Sequence, residues 1–358
     1  MIIFVALNEI QVIDMTQIAE KKRLNYIDDA KALAIFLMIL GHLPIGDTLG
    51  TLIYGFHMPL FFIISGLFFN SNRTLCNHIK KGFRQLIIPY MCFEFINLSI
   101  CWISPYLHPE LYYGMAGLDV FKAAILGIFF GQDYVSRISF LPSGPLWFLV
   151  ALFNMRVIFA VLCKLFKNDY LLAIAATALG IGLYFSLSKN ILPFGSSGTN
   201  IFSIRCTAMG LPFYAFGYLM RGIDFTSIKY RSLIVVTLVV LYVVSALYNG
   251  DCGIDELNHG KSIVLYYMNA VVGSIAVILS FSLIRLSENV HNVGRNTLLV
   301  LGLHTFPMVV CKVIVTFVLG QSYLSNWYVY LPVSILCIVA VLPLRKFFNK
   351  YLPFVLGK

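Results

Sequence analysis

Apolar stretches long enough to cross a lipid bilayer recur along the whole length of this chain. A transmembrane helix needs about 20 predominantly apolar residues to span the hydrocarbon core. Only 12% of the 358 residues are charged, which is about half of the fraction usual in soluble domains. The stretches do not alternate polar and apolar residues, as the strands of a membrane β-barrel do. The sequence therefore predicts an all-α fold, a polytopic bundle of transmembrane helices.

The apolar stretches predict about ten spans. Their ranges are 30–46, 51–69, 84–104, 146–165, 170–188, 205–221, 232–248, 262–284, 297–319 and 328–346. Lysines and arginines gather in alternate loops, which are cytoplasmic if the N-terminus is cytoplasmic. The acidic loop 251–256 and the polar loop 196–200 then lie outside. We expect both termini in the cytoplasm.

One further apolar segment, residues 118–132, is expected to be a re-entrant or interfacial helix. It has fifteen residues, which is short for a full crossing. Counting it as a span would also place Lys164, Lys167 and Arg221 outside, against the tendency of basic loops to stay in the cytoplasm. The expected organisation is a cytoplasmic segment over 1–26, a transmembrane domain over 27–347 and a cytoplasmic tail over 348–358.

The formal net charge of +10 does not predict nucleic acid binding, because the basic residues lie in short loops between the apolar stretches. Such residues anchor loops on the cytoplasmic side, and part of the charge can serve an anionic cofactor. The eight cysteines show neither CxxC pairing nor metal-ligand spacing with histidine, so neither a metal site nor a disulfide framework is expected. Met1 and Met15 are both candidate initiation sites.

The first span carries ionisable residues at positions where polarity costs free energy. Lys31 and His42 are eleven residues apart, so they share one helix face with an axial separation of about 16 Å. Asp28 precedes Lys31 by three residues and is expected to pair with it across one turn. Alternatively, Asp28, Asp29 and Lys31 are interfacial charges at a helix start, which is the interpretation we adopt for Asp29. His42 could also be a hydrogen-bonded packing residue.

The second span opens with a histidine in the run FHMPLFFIISG, residues 56–66. Pro59 suits the first helical turn, which puts His57 just ahead of a helix N-terminus, where a neutral imidazole is favoured. A short outer loop joins the first two spans, so His42 and His57 are expected to approach each other near the outer leaflet. Alternatively, His57 only satisfies local backbone groups.

Several motifs follow one another in an order that points to a known family. They are Lys31-x(10)-His42, FHMPLFFIISG at 56–66, KGFRQLIIPY at 81–90, GPLWFLVALF at 144–153, PFYAFGYL at 212–219 and GRNTLLVLGLH at 294–304. In these residues, which cover nearly the whole chain, the sequence resembles the acyltransferase-3 family of integral membrane O-acyltransferases. The resemblance is to short members that acetylate sugars, without an appended hydrolase-like domain.

The resemblance implies acetyl transfer from cytoplasmic acetyl-CoA to a hydroxyl of an extracytoplasmic polysaccharide or lipid-linked sugar. It implies that His42 is catalytic, that Lys81 and Arg84 bind CoA phosphates, and that the protein lies in a plasma membrane, the bacterial inner membrane. Expected partners are acetyl-CoA, the glycan acceptor, membrane lipids and other glycan-assembly membrane proteins, with no nucleic acid and no metal.

The chemistry of acyl-CoA agrees with this placement. Its anionic nucleotide needs a cationic cytoplasmic mouth, where Lys31, Lys81 and Arg84 are expected. Its slim neutral arm can enter the bilayer, and the distance from Lys31 to His42 is comparable to that arm. His42 would act as general base, and His57 would orient His42 or the acceptor, or stabilise the oxyanion. Direct transfer and a covalent acetyl-His42 relay both fit.

Other polar residues in or near the spans each have two interpretations. Glu94 either forms an ion pair with Arg156 or contacts the acceptor. Trp147 is an interfacial tryptophan or a platform for a sugar. Arg205, outside and against the charge rule, has a substrate or an internal partner, and His304 lines the cavity or packs.

Two other functions compete with the enzyme. A glycan transporter or flippase would use buried charges equally, but it gives no account of the Lys31–His42 spacing. A non-catalytic membrane scaffold would not require buried ionisable groups at all.

Overall fold

The computed structural model describes residues 24–107, 125, 127–128, 145–189, 191, 201–319 and 327–358. Within these ranges the chain is predominantly helical and contains no β-strand, which confirms the predicted all-α class. The helices are α1 Asn25–Gly41, α2 Asp47–Tyr54, α3 His57–Leu67, α4 Leu75–Gly82, α5 Ile88–Leu107, α6 Trp147–Leu165, α7 Asp169–Ser188, α8 Ile204–Leu219, α9 Arg231–Asn249, α10 Ile263–Leu283, α11 Glu288–Arg295, α12 Thr297–Leu303, α13 Thr305–Leu319, α14 Trp327–Val341 and α15 Arg345–Tyr351. A π-helical stretch, Phe83–Ile87, joins α4 to α5.

Six helical segments in the described ranges are long and apolar enough to cross a membrane. One of them, Asp47–Leu67, comprises α2 and α3, and a seventh is added if α12 and α13, bent by 52°, form a single broken span. Every one of the predicted spans overlaps a helix, but the number of about ten and the cytoplasmic position of both termini are not confirmed.

Two sequence predictions fall mostly outside the described residues. Of the segment 118–132, only residues 125, 127 and 128 are described, and these are helical. Of the expected cytoplasmic segment 1–26, only residues 24–26 are described.

Helix α8 lies at the centre of the bundle and is buried on nearly all sides. Two glycines allow α3 to approach it closely, because a Cβ at Gly66 would overlap the Tyr214 carbonyl and a Cβ at Gly217 would overlap the Ile63 carbonyl. Small residues at such contacts let helix backbones pack in direct contact. This packing holds α3, which carries His57, against the core.

Helix α1 is held at its inner end by the short helix α11. A Cβ at Gly294 would overlap the Asp28 carbonyl, so the two backbones touch there. Asp29, interpreted from sequence as an interfacial charge, is instead 1% exposed and lies 2.6 Å from His291 Nδ1. A buried carboxylate needs such a partner, and the contact fixes the position of α1.

Candidate active site

The side chains of His42 and His304 lie against each other at the ends of two helices. His42 is the first residue after α1, and His304 is the first after α12. Their rings stack with centroids 5.8 Å apart and an interplanar angle of 19°. His304 is buried, whereas His42 is exposed. An approaching molecule can therefore reach His42, while His304 backs it from within the protein.

His57 occupies the break between α2 and α3. It begins α3 and its Nδ1 lies 2.8 Å from the Ile53 carbonyl. A carbonyl only accepts hydrogen bonds, so Nδ1 carries the proton, and in the neutral ring Nε2 keeps its lone pair. His57 therefore satisfies a local backbone carbonyl through Nδ1, as the alternative from sequence proposed, while the lone pair of Nε2 can still accept a hydrogen bond. His304 Nδ1 likewise lies 3.0 Å from a carbonyl, that of Leu301, so its Nδ1 also carries the proton and its Nε2 keeps the lone pair.

Tyr54 connects His57 to the end of α1. Its hydroxyl donates to the Gly41 carbonyl at 2.8 Å, one residue before His42. Its ring meets the His57 ring edge-on, with centroids 5.2 Å apart and an angle of 74°. His57 and His42 also lie within range of electrostatic interaction. The approach of His42 and His57 predicted from sequence is thus present, and Tyr54 is a residue that the sequence analysis missed.

A narrow cavity of about 190 Å³ leads toward these histidines. Along α1 its wall is formed by Lys31, Ile35 and Met38, which continue one helix face and end one turn before His42. Met58, next to His57, and Leu301, three residues before His304, also line it. The three histidines therefore lie just beyond one end of the cavity.

The cavity has an apolar part and a polar part. Met38, Met58 and Leu301 form its wall near the histidines, whereas Ser65 and Gln85 belong to the wall near Lys31. Because the polar residues lie toward the basic loops, this end is the mouth that the charge distribution assigns to the cytoplasm. Such a cavity suits a slim apolar chain that carries a polar group at one end.

An ion-pair network surrounds Lys31 at the mouth. Lys31 Nζ lies 2.6 Å from Asp28, as the sequence predicted. Asp28 also accepts from Arg295 Nε at 3.3 Å, and Arg295 contacts Glu288 as well. The sequence analysis did not assign Arg295 to the site, although its place in the motif GRNTLLVLGLH was visible. The network brings a second cation close to the cavity mouth.

Lys81 and Arg84 both lie shortly before the cavity-lining residue Gln85 in the chain, and Arg84 immediately precedes it. Lys81 is half-buried, whereas Arg84 is exposed, and Gly357 packs closely against the backbone of Arg84 and Gln85. The π-helical stretch that contains Arg84 thus borders the mouth through Gln85. No observation here assigns a ligand to either cation.

The ion pair considered between Glu94 and Arg156 is wrong. Arg156 donates to Gln85 Oε1 at 3.4 Å and packs beside Gly82. Glu94 lies nine residues after Gln85, which is about 13 Å further along the helix. Glu94 is fully buried near Tyr90 and does not line the cavity.

Trp147 and Arg205, the two residues that the sequence predicts on the outer side, each begin or lie near the start of a helix. Trp147 begins α6 and contacts edge-on the ring of Phe148, which lines the cavity. Arg205 donates to the Glu256 carbonyl at 2.7 Å, so the acidic loop 251–256 is its internal partner. This loop interacts electrostatically with Tyr54 as well, which brings it near the histidines.

Lys312, like Tyr54 and Arg295, is a residue that the sequence analysis did not assign to the site. It lies half-buried on α13, eight residues after His304, and interacts electrostatically with His42. The signal was a lone lysine within the apolar run MVVCKVIV, where a charge is costly.

The fold and this site define a multi-pass helical membrane protein with a cavity that begins beside Lys31 and ends one helical turn before His42. The chain belongs to the acyltransferase-3 family, because the model of that family, described as an acyltransferase domain, matches residues 24–346. The resemblance inferred from the motifs is thereby confirmed, and the family supports membrane acyl transfer in general. No curated protein and no solved structure matches the chain.

Proposed function

We propose that the protein is an O-acetyltransferase that moves an acetyl group from cytoplasmic acetyl-CoA to a hydroxyl of an extracytoplasmic polysaccharide or lipid-linked sugar. The observation that carries this proposal is the cavity from Lys31 to within one turn of His42. A thioester arm that filled this cavity would end within one helical turn of the exposed His42 imidazole.

The two ends of the donor match the two ends of the cavity. Acyl-CoA has several negative charges at the nucleotide and an uncharged arm that ends in the thioester. The nucleotide would stay at the mouth, near Lys31, Lys81 and Arg84, with Asp28 holding Lys31 in place. The arm would follow the apolar wall over about 16 Å. This orientation is favoured because the arm buries apolar surface in the cavity, while the phosphates at the mouth keep their contact with water.

His42 would act as the general base at the far end. It takes the proton of the acceptor hydroxyl while the oxygen attacks the thioester carbonyl. The tetrahedral intermediate then collapses, the carbon–sulfur bond breaks, and His42 returns the proton to the CoA thiolate. A positioned base of this kind typically contributes about 10²–10⁴-fold to the rate.

His57 and His304 would support His42 as hydrogen-bond acceptors. In each ring Nδ1–H donates to a backbone carbonyl, so the neutral ring has no N–H left for an oxyanion. Of the two roles considered for His57, orientation of His42 or of the acceptor hydroxyl therefore fits better than oxyanion stabilisation. The stacked His304 would fix the plane of the His42 ring.

The acceptor would approach from the side on which His42 is exposed. Trp147 would provide an aromatic face for a sugar ring, and Arg205 with the acidic loop would provide polar contacts. We place the protein in the plasma membrane, with the mouth of the cavity in the cytoplasm.

Membrane vesicles that contain the protein and receive radiolabelled acetyl-CoA test the proposal. Label on the extracted glycan, dependent on the protein, is the expected result. Movement of glycan across the membrane without label would favour the transporter instead and would overturn the acetyltransferase. Mass spectrometry of surface glycans with and without the protein would identify the acceptor through the mass of one acetyl group.

A further inference from the structure

Three cations gather beside the cavity mouth, on α4, α6 and the turn before α4. Arg156 lies half-buried on α6, with its Cδ 3.5 Å from the position of a Cβ at Gly82. Lys81, next to Gly82, is also half-buried, and Arg73 is exposed on the turn. Each of Arg73 and Arg156 acts electrostatically on Lys81. The three positive charges therefore face a common region on the inner side of the bundle.

None of these three cations is paired with a carboxylate in the described part of the chain. Other cations on this side are paired: Lys31 with Asp28, and Arg221 with Asp169 at 2.5 Å. The hydrogen bond of Arg156 goes to the neutral amide of Gln85. Half-burial of like charges without a counter-charge is unfavourable, and burial together with the two arginines lowers the pKa of Lys81.

His78 adds a polar group that lacks a partner at the same place. Its side chain is 1% exposed, and its ring stacks on Phe69 with centroids 4.5 Å apart. Nε2 donates to the Asn70 carbonyl at 3.0 Å, while Nδ1 has no hydrogen-bond partner among the described residues. Arg156, Arg73 and Lys81 all act electrostatically on this ring. A buried ring nitrogen without a hydrogen-bond partner calls for an explanation such as a bound ion, and the three cations that act on this ring favour an anion.

We propose that Arg73, Lys81 and Arg156, together with His78, form a phosphate-binding site at the inner face of the protein. A phosphate supplies the missing negative charge, and arginine holds it with two parallel hydrogen bonds. When His78 takes up a proton, its Nδ1–H becomes a further donor. One bound phosphate would thus supply both the missing counter-charge of the three cations and the missing partner of His78 Nδ1.

The site adjoins the cavity through Gln85, which lines the cavity and accepts from Arg156. A phosphate bound there would lie beside the mouth, on the side of Gln85 away from the cavity. Two sources present this chemistry from the inner face: the nucleotide of acyl-CoA and the headgroup of an anionic phospholipid. The first source rests on the proposed function, whereas the phosphate site itself does not.

Binding of CoA to the purified full chain in nanodiscs tests the site, with calorimetry in zwitterionic lipid. Arg156→Gln and Arg73→Gln are the test variants, and Lys164→Gln, an exposed cation on the same helix as Arg156, is the control. Loss of one charged hydrogen-bonding group should weaken CoA binding by roughly tenfold to a hundredfold, whereas the control should bind as the wild type does. Because Arg73 is exposed, its variant keeps the test valid if Arg156→Gln fails to fold.

Two further probes separate the sources. The first probe is dephospho-CoA, which lacks the 3′-phosphate. If the wild-type protein binds dephospho-CoA as weakly as the arginine variants bind CoA, the site holds the 3′-phosphate. If CoA binding is unchanged but the variants retain less anionic phospholipid through purification, the site holds a lipid phosphate. Unchanged CoA binding together with unchanged lipid retention in both arginine variants would overturn the site. Failure of acetyl transfer to depend on His42 would remove the proposed function and leave these binding results unaffected.

Discussion

The imidazole of His42 stacks on the imidazole of His304, with ring centroids 5.8 Å apart and planes inclined by 19°. The two residues are separated by nearly the whole family domain, yet both terminate a helix whose face lines the same cavity. Two imidazolium rings at this separation would repel each other, which disfavours simultaneous protonation of the two. The stacking contact thus joins the ends of α1 and α12 at the ring that we propose as the reacting group.

Replacement of His42 should separate chemistry from donor binding. His42→Ala removes the proposed base, so acetyl transfer should fall by about 10²–10⁴-fold, while CoA affinity should stay within twofold or so because the nucleotide binds at the other end of the cavity. Radiolabel transfer in vesicles and CoA calorimetry measure the two quantities. Wild-type turnover by a folded His42→Ala protein would contradict the assignment.

The same variant addresses the two reaction paths left open by the sequence. A covalent relay predicts labelled wild-type protein after rapid acid quench without acceptor, and no label on His42→Ala. Direct transfer predicts unlabelled protein in both cases.

Tyr54→Phe should lower kcat with little change in the KM for acetyl-CoA. The substitution keeps the ring that contacts His57 but removes the hydrogen bond to the Gly41 carbonyl, which fixes the backbone before His42. One such hydrogen bond is worth about 0.5–1.5 kcal/mol, which corresponds to roughly a twofold to twelvefold loss in kcat. Steady-state kinetics with Tyr248→Phe, an exposed tyrosine on α9, as the control measure the effect. An increase in KM alone would argue against a positioning role.

The contact between α3 and α8 should not tolerate a methyl group. Gly66→Ala would overlap the Tyr214 carbonyl, and because a backbone cannot move aside easily, we expect a loss of about 1–3 kcal/mol in stability. Gly182→Ala, in helix α7 with no atom within 4 Å of the new Cβ, is the matched control. It should gain up to about 1 kcal/mol from the better helix propensity of alanine. Thermal unfolding in detergent compares the two, and equal midpoints would show that the packing is not as close as described.

Acid should destabilise the protein in part through His78. Burial lowers the pKa of His78, and the charges of Arg156, Arg73 and Lys81 lower it further. The folded chain then binds the proton less tightly than the unfolded chain, whose histidine has a pKa of about 6.5. The contribution of His78 to stability is therefore lost as the pH falls below this value.

Thermal midpoints at pH 7.5 and pH 5.0 in phosphate-free buffer measure this effect. His78→Phe keeps the stacking on Phe69 and should show a smaller loss at pH 5.0 than the wild type. Arg73→Gln, which removes one neighbouring charge, should show an intermediate loss. An identical acid loss in all three proteins would assign the sensitivity to other groups.

The sequence by itself determined the helical membrane class and the face of α1 that carries Lys31 and His42. Both follow from local rules, because apolar length and helical periodicity depend only on residues near one another in the chain. The same holds for the ion pair between Asp28 and Lys31, which spans one turn. The family resemblance also rested on short motifs, each contained within one segment.

Only the tertiary structure decided which helices meet. It placed His304 on His42, turned Nδ1 of His57 to the Ile53 carbonyl, and paired Arg156 with Gln85 instead of Glu94. Periodicity gives the face of a helix but not the neighbour of that face. Neighbours depend on the depth and rotation at which whole helices pack, and these are decided by close approaches such as that of Gly66 to Tyr214, between residues far apart in the chain.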